Sequence, residues 1–228
     1  MGEEYPNVTV STNPLVQHHL TLMREVSTSN GRFRGHLKRL TQGLFYEAMA
    51  KLKVPVSTVR YVTPIGEEKE GDIVNGKDFA LIAVMRTGMG MAGAVQDSLE
   101  EAVIGHAYFQ KDAMTGQYEE LAVRIPELHH RFVFIFDSAM LSGGTVLETL
   151  RYIVEKRDVH PSRIAVLTSI ATYTSIEAIN AAFDVASNPI PIFTAAIDTW
   201  TEGEDFSRPG AGSFRNRLYS WPDGKAGA

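Results

Sequence analysis

The stretch that decides the fold is Arg131-Phe-Val-Phe-Ile-Phe-Asp137-Ser-Ala-Met-Leu-Ser142-Gly143-Gly144-Thr145. Its apolar run is typical of a strand that is buried on both faces of a parallel sheet. One acid, a short loop of hydroxyl and glycine residues and then an amphipathic helix follow that strand. Ligands of open α/β sheets sit at the carboxyl ends of the strands, so this order predicts a phosphate site beside a carboxylate.

The loop from Met140 to Thr145 has the chemistry of an anion site. Its glycines let backbone N–H groups approach a phosphate, its hydroxyls can donate, and the N-terminus of the following helix favours negative charge. The Gly-Lys-[Ser/Thr] of a P-loop and the Gly-x-Gly-x-x-Gly of dinucleotide sites are both absent from it. On these residues alone, a plain strand-to-helix turn capped by Ser142 explains the pattern equally well.

A second loop of the same kind follows the apolar run Phe79-Ala-Leu-Ile-Ala-Val-Met85. It reads Arg86-Thr87-Gly88-Met-Gly90-Met91, and an arginine there can fork onto phosphate or pyrophosphate oxygens. Taken alone, an exposed arginine in a glycine turn is the simpler interpretation. Two such loops at the ends of two strands favour one ligand with two phosphate groups, a terminal phosphate and a pyrophosphate.

The rest of the chain alternates between strand and helix patterns, which predicts an α/β fold with a largely parallel sheet. Residues 1–12 are expected to form a loose arm or an edge strand, and residues 58–77 an irregular hairpin that turns at Glu67-Glu-Lys-Glu-Gly71. The predicted helices are 33–48, 91–102, 146–157 and 174–183. The predicted strands are 79–85, 103–109, 120–125, 132–136, 163–168 and 192–197.

Composition narrows the class of protein. The 228 residues are enough for one sizeable core, and we expect a single domain over 1–228. The hydrophobic share of 44% and the charged share of 21% are those of an ordinary soluble protein. A net charge of -5 argues against nucleic acid as a partner. No cysteine, no membrane-spanning run and no signal peptide is present in the sequence, so we expect a cytoplasmic protein.

Motifs from Asn13 to about Tyr219 together resemble the uracil phosphoribosyltransferases, which are type I phosphoribosyltransferases. The opening segment and the arginine loop are specific to this family among phosphoribosyltransferases. Many relatives carry two adjacent acids where this chain has Asp137-Ser138, whereas the uracil enzymes typically carry one. The matching motifs are Asn13-Pro-Leu-Val-Gln-His-His-Leu-Thr21 with Arg24, Phe33-Arg34, Tyr46-Glu47, Thr63-Pro64, Arg86-Thr-Gly-Met-Gly-Met91, Gly105-His106, Asp137 to Thr145, Thr194-Ala-Ala-Ile-Asp198 and Pro209-Gly210.

The resemblance implies an enzyme that transfers 5-phosphoribosyl from phosphoribosyl pyrophosphate (PRPP) to uracil, giving UMP and pyrophosphate. The displacement at the anomeric carbon would pass through an oxocarbenium-like transition state, with Mg²⁺ brought by PRPP and no direct protein ligand. The catalytic residues would be Asp137, Arg86 and Lys111. The 5-phosphate would bind at Met140, Leu141, Ser142, Gly143, Gly144 and Thr145, the pyrophosphate at Arg86, Thr87, Gly88 and Lys111, and the base at Ile197, Phe206, Ser207, Gly210, Ala211, Gly212 and Ser213.

The resemblance also implies the parts around the sheet. It places a β-arm that crosses between subunits at 58–77 and a base-binding hood segment at 199–219, which closes over the site together with the N-terminal segment. A homodimer or homotetramer is expected, and the family leaves room for a nucleotide effector. Lys111 stands where the family has an arginine on a mobile hairpin that closes over pyrophosphate. Lysine keeps the charge there but loses the bidentate fork.

The departures from the family pattern cluster near the base-binding segment. The usual Gly-Asp-x-Gly-Asp-Arg is Gly212-Ser213-Phe214-Arg215-Asn216-Arg217 here. Arg215 in place of glycine would be strained if that position needed a positive φ. Two alternatives therefore stay open: a phosphoribosyltransferase for a different base, and a catalytically weak regulatory homologue that binds PRPP or a nucleotide. Other departures are Phe206-Ser207-Arg208, Thr201-Glu202 and Tyr173-Thr174-Ser175.

Overall fold

The computed structural model describes residues 5–112, 114–187, 189–201 and 206–220. Seven strands form one sheet in the order β1-β9-β8-β7-β4-β5-β6. Every neighbouring pair in it is parallel except β5 and β6, which confirms the mostly parallel α/β fold. The strands of the described chain are β1 (Val8–Val10), β2 (Ser57–Val62), β3 (Glu68–Ile73), β4 (Phe79–Val84), β5 (Val103–Lys111), β6 (Tyr118–Arg124), β7 (Phe132–Ala139), β8 (Ile164–Thr172) and β9 (Ile192–Asp198).

Helices cover both faces of this sheet. Since side chains alternate along a strand, successive residues of β4 enter two separate apolar clusters. One cluster lies under the first, second, third and sixth helices, and the other lies under the fourth and fifth. Within the described ranges, no helix is both long and apolar enough to cross a membrane. The helices are α1 (Pro14–Arg24), α2 (Asn30–Lys51), α3 (Gly88–Val95), α4 (Gly144–Arg151), α5 (Tyr173–Ala182) and α6 (Phe214–Tyr219).

The predicted hairpin at 58–77 is present as the antiparallel pair β2 and β3, a two-stranded sheet separate from the main one. Its turn lies earlier than predicted, because the N–H of Thr63 donates to the carbonyl of Glu67 at 2.8 Å. Gly71 pairs with Val59 in the middle of the ladder instead. Both strands are mostly exposed, and so is the apolar Ile65 at the turn, at 82%.

The largest departures from the predicted helices lie in α3 and α4. The helix expected at 91–102 runs from Gly88 to Val95 and is followed by a short 3-10 turn. It cannot continue through Glu101, whose φ of 67° lies outside the right-handed helical region. The helix expected at 146–157 begins two residues earlier, at Gly144, and changes to π-helical geometry over Tyr152–Lys156.

Candidate active site

The two loops predicted to bind phosphate groups emerge side by side. Strands β4 and β7 are parallel neighbours, with Ala83 opposite Phe136, so the segments that follow them meet at one edge of the sheet. The hydroxyl of Thr87, in the arginine loop, hydrogen-bonds to the carboxyl of Asp137. The structure thus joins by a direct contact two motifs that lie far apart in sequence.

Asp137 lies near the end of β7, paired opposite Thr168 of β8, and is only 7% exposed. Its carboxyl accepts from the backbone N–H groups of Ser138 and Ala139 and from Thr87. Burial nevertheless dominates and raises the pKa of Asp137 to about 7. Around neutral pH the group is therefore near its titration point, and a ligand hydroxyl that donates to it would favour the ionised form.

The loop after Asp137 is fixed to the neighbouring strand. The N–H of Met140 donates to the carbonyl of Ile170 at 2.9 Å, and its side chain is buried. The hydroxyl of Thr172 donates to the carbonyl of Leu141 at 2.5 Å. Gly143, with φ 78°, precedes the first turn of α4, and Ser142 accepts the N–H of Gly144 at 3.4 Å. Met140 is thus an anchor, whereas the segment from Leu141 to Thr145 is half-buried or buried at the mouth of the loop.

The arginine loop is held from two sides. A cis peptide bond joins Met85 to Arg86, and the N–H of Met85 donates to the carbonyl of Ala107 at 2.8 Å. The hydroxyl of Tyr219, in α6, donates to the carbonyl of Arg86 at 2.5 Å. Thr87 precedes α3, which begins at Gly88. The C-terminal segment therefore touches the same loop that touches Asp137.

A buried acid organises the predicted base-binding segment. Asp198 ends β9, is 2% exposed, and forms an ion pair with Arg24 of α1 at 2.7 Å. It also accepts the hydroxyl of Ser207 at 3.0 Å and the N–H of Gly210 at 2.8 Å. The turn between them contains a cis Arg208-Pro209 bond. Only glycine fits at 210, where φ is 64° and a Cβ would lie 2.1 Å from the carbonyl oxygen of Ser207.

The profile described as "Uracil phosphoribosyltransferase" matches residues 10–220 of this chain. The chain belongs to the uracil phosphoribosyltransferase family. The protein of that name from Ralstonia pickettii is 29% identical over 215 residues, covering 94% of this chain and 95% of its own length. The one from Burkholderia lata is 28% identical over 217 residues, with 94% and 95% covered.

Solved structures agree on the fold. The AQ2163 protein from Aquifex aeolicus superposes with a TM-score of 0.82 at 24% identity, covering 93% of this chain and 98% of that one. The adenine phosphoribosyl transferase from Trypanosoma brucei gives 0.52 at 13% identity, with 86% and 85% covered. The fold is that of a type I phosphoribosyltransferase, and membership of the family makes the chain a pentosyltransferase.

The uracil phosphoribosyltransferase pattern is broken at Arg215, and the structure shows that no strain results there. Arg215 is the second residue of the right-handed helix α6, which Ser213 caps by accepting the N–H of Asn216 at 3.3 Å. The positive φ that would have penalised an arginine occurs earlier, at Gly212, with φ 70°. The substitution therefore leaves the backbone of the base segment free of strain at this position.

Arg217, which this chain retains from the family's Gly-Asp-x-Gly-Asp-Arg pattern, ties the C-terminal segment to the N-terminal helices. Its guanidinium donates to the carbonyls of Met23 at 2.5 Å, Thr28 at 2.8 Å and Ala211 at 3.1 Å. It also lies 4.3 Å from the centroid of the Phe33 ring. The N-terminal helices and the C-terminal segment are thereby fixed together beside the Gly210 turn.

The other predicted base residues lie around this turn. Ile197 is half-buried, Ala211 is buried and Phe206 is 45% exposed. Residues 202–205 of the hood segment lie outside the described part of the chain. Lys111 ends β5 and is exposed, and the β5–β6 hairpin forms as predicted.

Sequence reasoning missed Asp198 and Tyr219 as organising residues, although both lie in segments that it singled out. Asp198 closes the Thr194-Ala-Ala-Ile-Asp198 motif, and Arg24 accompanies the opening motif, so their pairing was open to inference. Nδ1 of His19 in α1 lies 3.1 Å from Nδ1 of His36 in α2. This contact joins the two helices.

Proposed function

We propose that this protein transfers the 5-phosphoribosyl group of PRPP to uracil, giving UMP and pyrophosphate. The observation that carries the proposal is the contact between Thr87 and Asp137, which places an arginine loop and a hydroxyl-glycine loop on either side of one buried acid. A donor with a 5-phosphate and a pyrophosphate on one ribose has the chemistry to match both loops. The names of the relatives support uracil as the acceptor.

In this proposal the 5-phosphate lies at the mouth of the loop that ends in Thr145, against the N-terminus of α4. Arg86, Thr87 and Gly88 hold the pyrophosphate, and Lys111 approaches it from the hairpin. Asp137 accepts the ribose hydroxyls. Its carboxyl already accepts three protein donors, which fits a role without direct metal coordination. Mg²⁺ bound to PRPP would partly neutralise the pyrophosphate.

The chain's own residues promote the displacement mostly by position and charge. Holding the base nitrogen in line with the anomeric carbon converts an encounter into an intramolecular step. As the bond to pyrophosphate breaks, the guanidinium of Arg86 stabilises the negative charge on the leaving group. The carboxylate of Asp137 stabilises the positive charge that develops on the ribose. No covalent intermediate with the protein is required.

The base would be recognised by backbone groups of the turn from Ser207 to Gly212. Asp198 fixes this turn through Ser207 and Gly210. The absence of strain at Arg215 removes the main physical objection to uracil. This is why we prefer uracil to another base.

The function is tested by incubating the protein with PRPP, Mg²⁺ and a panel of bases, and measuring pyrophosphate release together with the nucleotide formed. We expect release with uracil and formation of UMP. In Arg86→Ala the rate should fall by about tenfold or more, since a charge that stabilises the transition state is lost. Release only with another base would reassign the acceptor, and tight PRPP binding without turnover for any base would favour the regulatory alternative.

We also propose that the protein is a cytoplasmic homodimer or homotetramer. In this assembly the β2–β3 arm of one subunit packs against another subunit. The arm exposes apolar side chains, among them Val62 at 66% and Ile65 at 82%, and such surfaces often mark contacts between proteins. We expect Val62→Ser/Ile65→Ser to shift the mass measured by light scattering toward the monomer. Val26→Ser, which changes a side chain that is 92% exposed in the loop between α1 and α2, should leave the mass unchanged. If the arm variant kept the wild-type mass at low protein concentration, the arm would not hold the subunits together.

A further inference from the structure

A tyrosine of the β5–β6 hairpin lies against the loop proposed to bind the 5-phosphate. The hydroxyl oxygen of Tyr118, the first residue of β6, is 3.4 Å from Oγ of Ser142. The ring is half-buried and packs on the apolar cluster beneath α4 and α5. No motif of the sequence pointed to Tyr118, because nothing local to the hairpin indicates contact with α4.

The ring of Tyr118 closely approaches the second glycine of the loop. A Cβ at Gly144 would lie 2.0 Å from the hydroxyl oxygen of Tyr118 and 2.2 Å from its Cζ. Gly144 does not have the left-handed φ of Gly143, so its backbone would accept any residue. A side chain at 144 would therefore displace the phenol, which forms the outer wall of the loop.

The chemistry of this wall suits a phosphate. A phosphate dianion is an acceptor only, and the hydroxyls of Tyr118 and Ser142 can both turn their protons toward it beside the N-terminus of α4.

The hairpin ladder connects this contact to the pyrophosphate side. Tyr118 is paired directly opposite Lys111 in the ladder of β5 and β6. Residues opposite each other in an antiparallel pair project from the same face. The hairpin thus presents the phenol of Tyr118 and the ammonium group of Lys111 on the face that meets the phosphate loop. This pair suits a donor that carries phosphate groups at both ends.

We propose that the hydroxyl of Tyr118 is a direct ligand of the 5-phosphate, an inference that rests on the proposed function. Tyr118 thereby completes the phosphate site from outside the loop that follows β7. Its hydrogen bond positions the β5–β6 hairpin on the donor, and Lys111 comes to the pyrophosphate with it.

The test compares Tyr118→Phe with Tyr108→Phe. Tyr108 lies on β5 of the same hairpin, and its hydroxyl contacts Gln110 at 3.4 Å. Ribose 5-phosphate and pyrophosphate are titrated separately by calorimetry. We expect Tyr118→Phe to weaken ribose 5-phosphate binding by about tenfold, the usual effect of losing a hydrogen bond to a charged group, and to leave pyrophosphate binding unchanged. Tyr108→Phe should match the wild type for both ligands.

Two results would overturn the inference. Unchanged affinity for ribose 5-phosphate in Tyr118→Phe would mean that the hydroxyl does not touch the phosphate. Tighter binding would mean that the phenol occupies the place of the phosphate and must leave it. Because the phenylalanine keeps the ring, equal unfolding midpoints for variant and wild type separate a lost contact from a lost fold. Pyrophosphate release by the wild-type protein tests the proposed function independently, so each idea can fail alone.

Discussion

Asp137→Asn is expected to lower kcat by about a hundredfold, the usual effect of removing one preorganised electrostatic group. Asparagine has nearly the same shape and can still accept the N–H groups of Ser138 and Ala139 through its oxygen. It cannot carry the negative charge that would face the developing positive charge on the ribose. Steady-state pyrophosphate release at saturating PRPP and uracil measures the loss. Activity near that of the wild type would remove Asp137 from the proposed chemistry.

The same variant should gain stability at alkaline pH. The folded-state pKa of Asp137 is raised from 3.8 to about 7, so its favourable contribution is present below pH 3.8 and is lost as the pH rises through 7. At one pKa unit per 1.36 kcal/mol, the buried charge costs at most about 4 kcal/mol above pH 7. Asparagine never ionises. Its free energy of unfolding in urea should therefore exceed that of the wild type at pH 8 and approach it near pH 4.

Asp184→Asn is the matched control. Asp184 is exposed, and the Ser187 hydroxyl and the N–H of Ala186 lower its pKa. The sign is therefore opposite, since its contribution is present above pH 3.8 and is lost as the pH falls through its lowered pKa. Asp184→Asn should not gain stability at pH 8 and should keep full activity. If Asp137→Asn lost activity and stability together at pH 8, Asp137 would be a structural residue.

Local sequence patterns predicted the elements whose burial can be recognised from a run of apolar residues. The apolar runs of β4 and β7 mark strands buried on both faces, and parallel neighbours necessarily place the loops after Arg86 and Asp137 together. The end of α3 could not be predicted from such a pattern. The backbone leaves helical geometry by Leu99, where φ is -130° and ψ is 69°, and a leucine gives no signal of that conformation.

The polar contacts that complete the site could not be predicted from the sequence either. They join segments that are far apart along the chain, and no periodic pattern marks them. Arg24 and Asp198 are 174 positions apart, and Tyr219 reaches Arg86 across 133 positions. Whether Arg215 strains the backbone could not be decided from the sequence either. A substitution for glycine is strained only at certain φ values, and only the backbone of α6 shows that this one is not. The family motifs located these segments, and three-dimensional contacts gave each residue its partner.

Asp198→Ala is expected to weaken binding at the acceptor site and to leave binding at the donor site nearly unchanged. It leaves the guanidinium of Arg24 and the N–H of Gly210 without the acid that they share, both close to the core. Breaking such a pair by removing one partner costs about 3 kcal/mol, so the urea midpoint should fall clearly. The turn from Ser207 to Gly210 should lose its geometry, and KM for uracil should rise by about tenfold or more, as when a buried site loses a charged hydrogen bond.

Binding of ribose 5-phosphate should change little in Asp198→Ala, because its loop is fixed by Met140 and Thr172 rather than by Asp198. A double-mutant cycle with Arg24→Ala gives the coupling between the two side chains and separates it from the loss of the turn. Ser207→Ala, which removes one of several hydrogen bonds to the acid, should raise KM for uracil by less. If Asp198→Ala lost stability but kept the wild-type KM for uracil, the Gly210 turn would hold the fold without contacting the base. If ribose 5-phosphate and uracil binding fell together, the hood and the phosphate loop would form one coupled site, because Tyr219 of α6 also holds the carbonyl of Arg86.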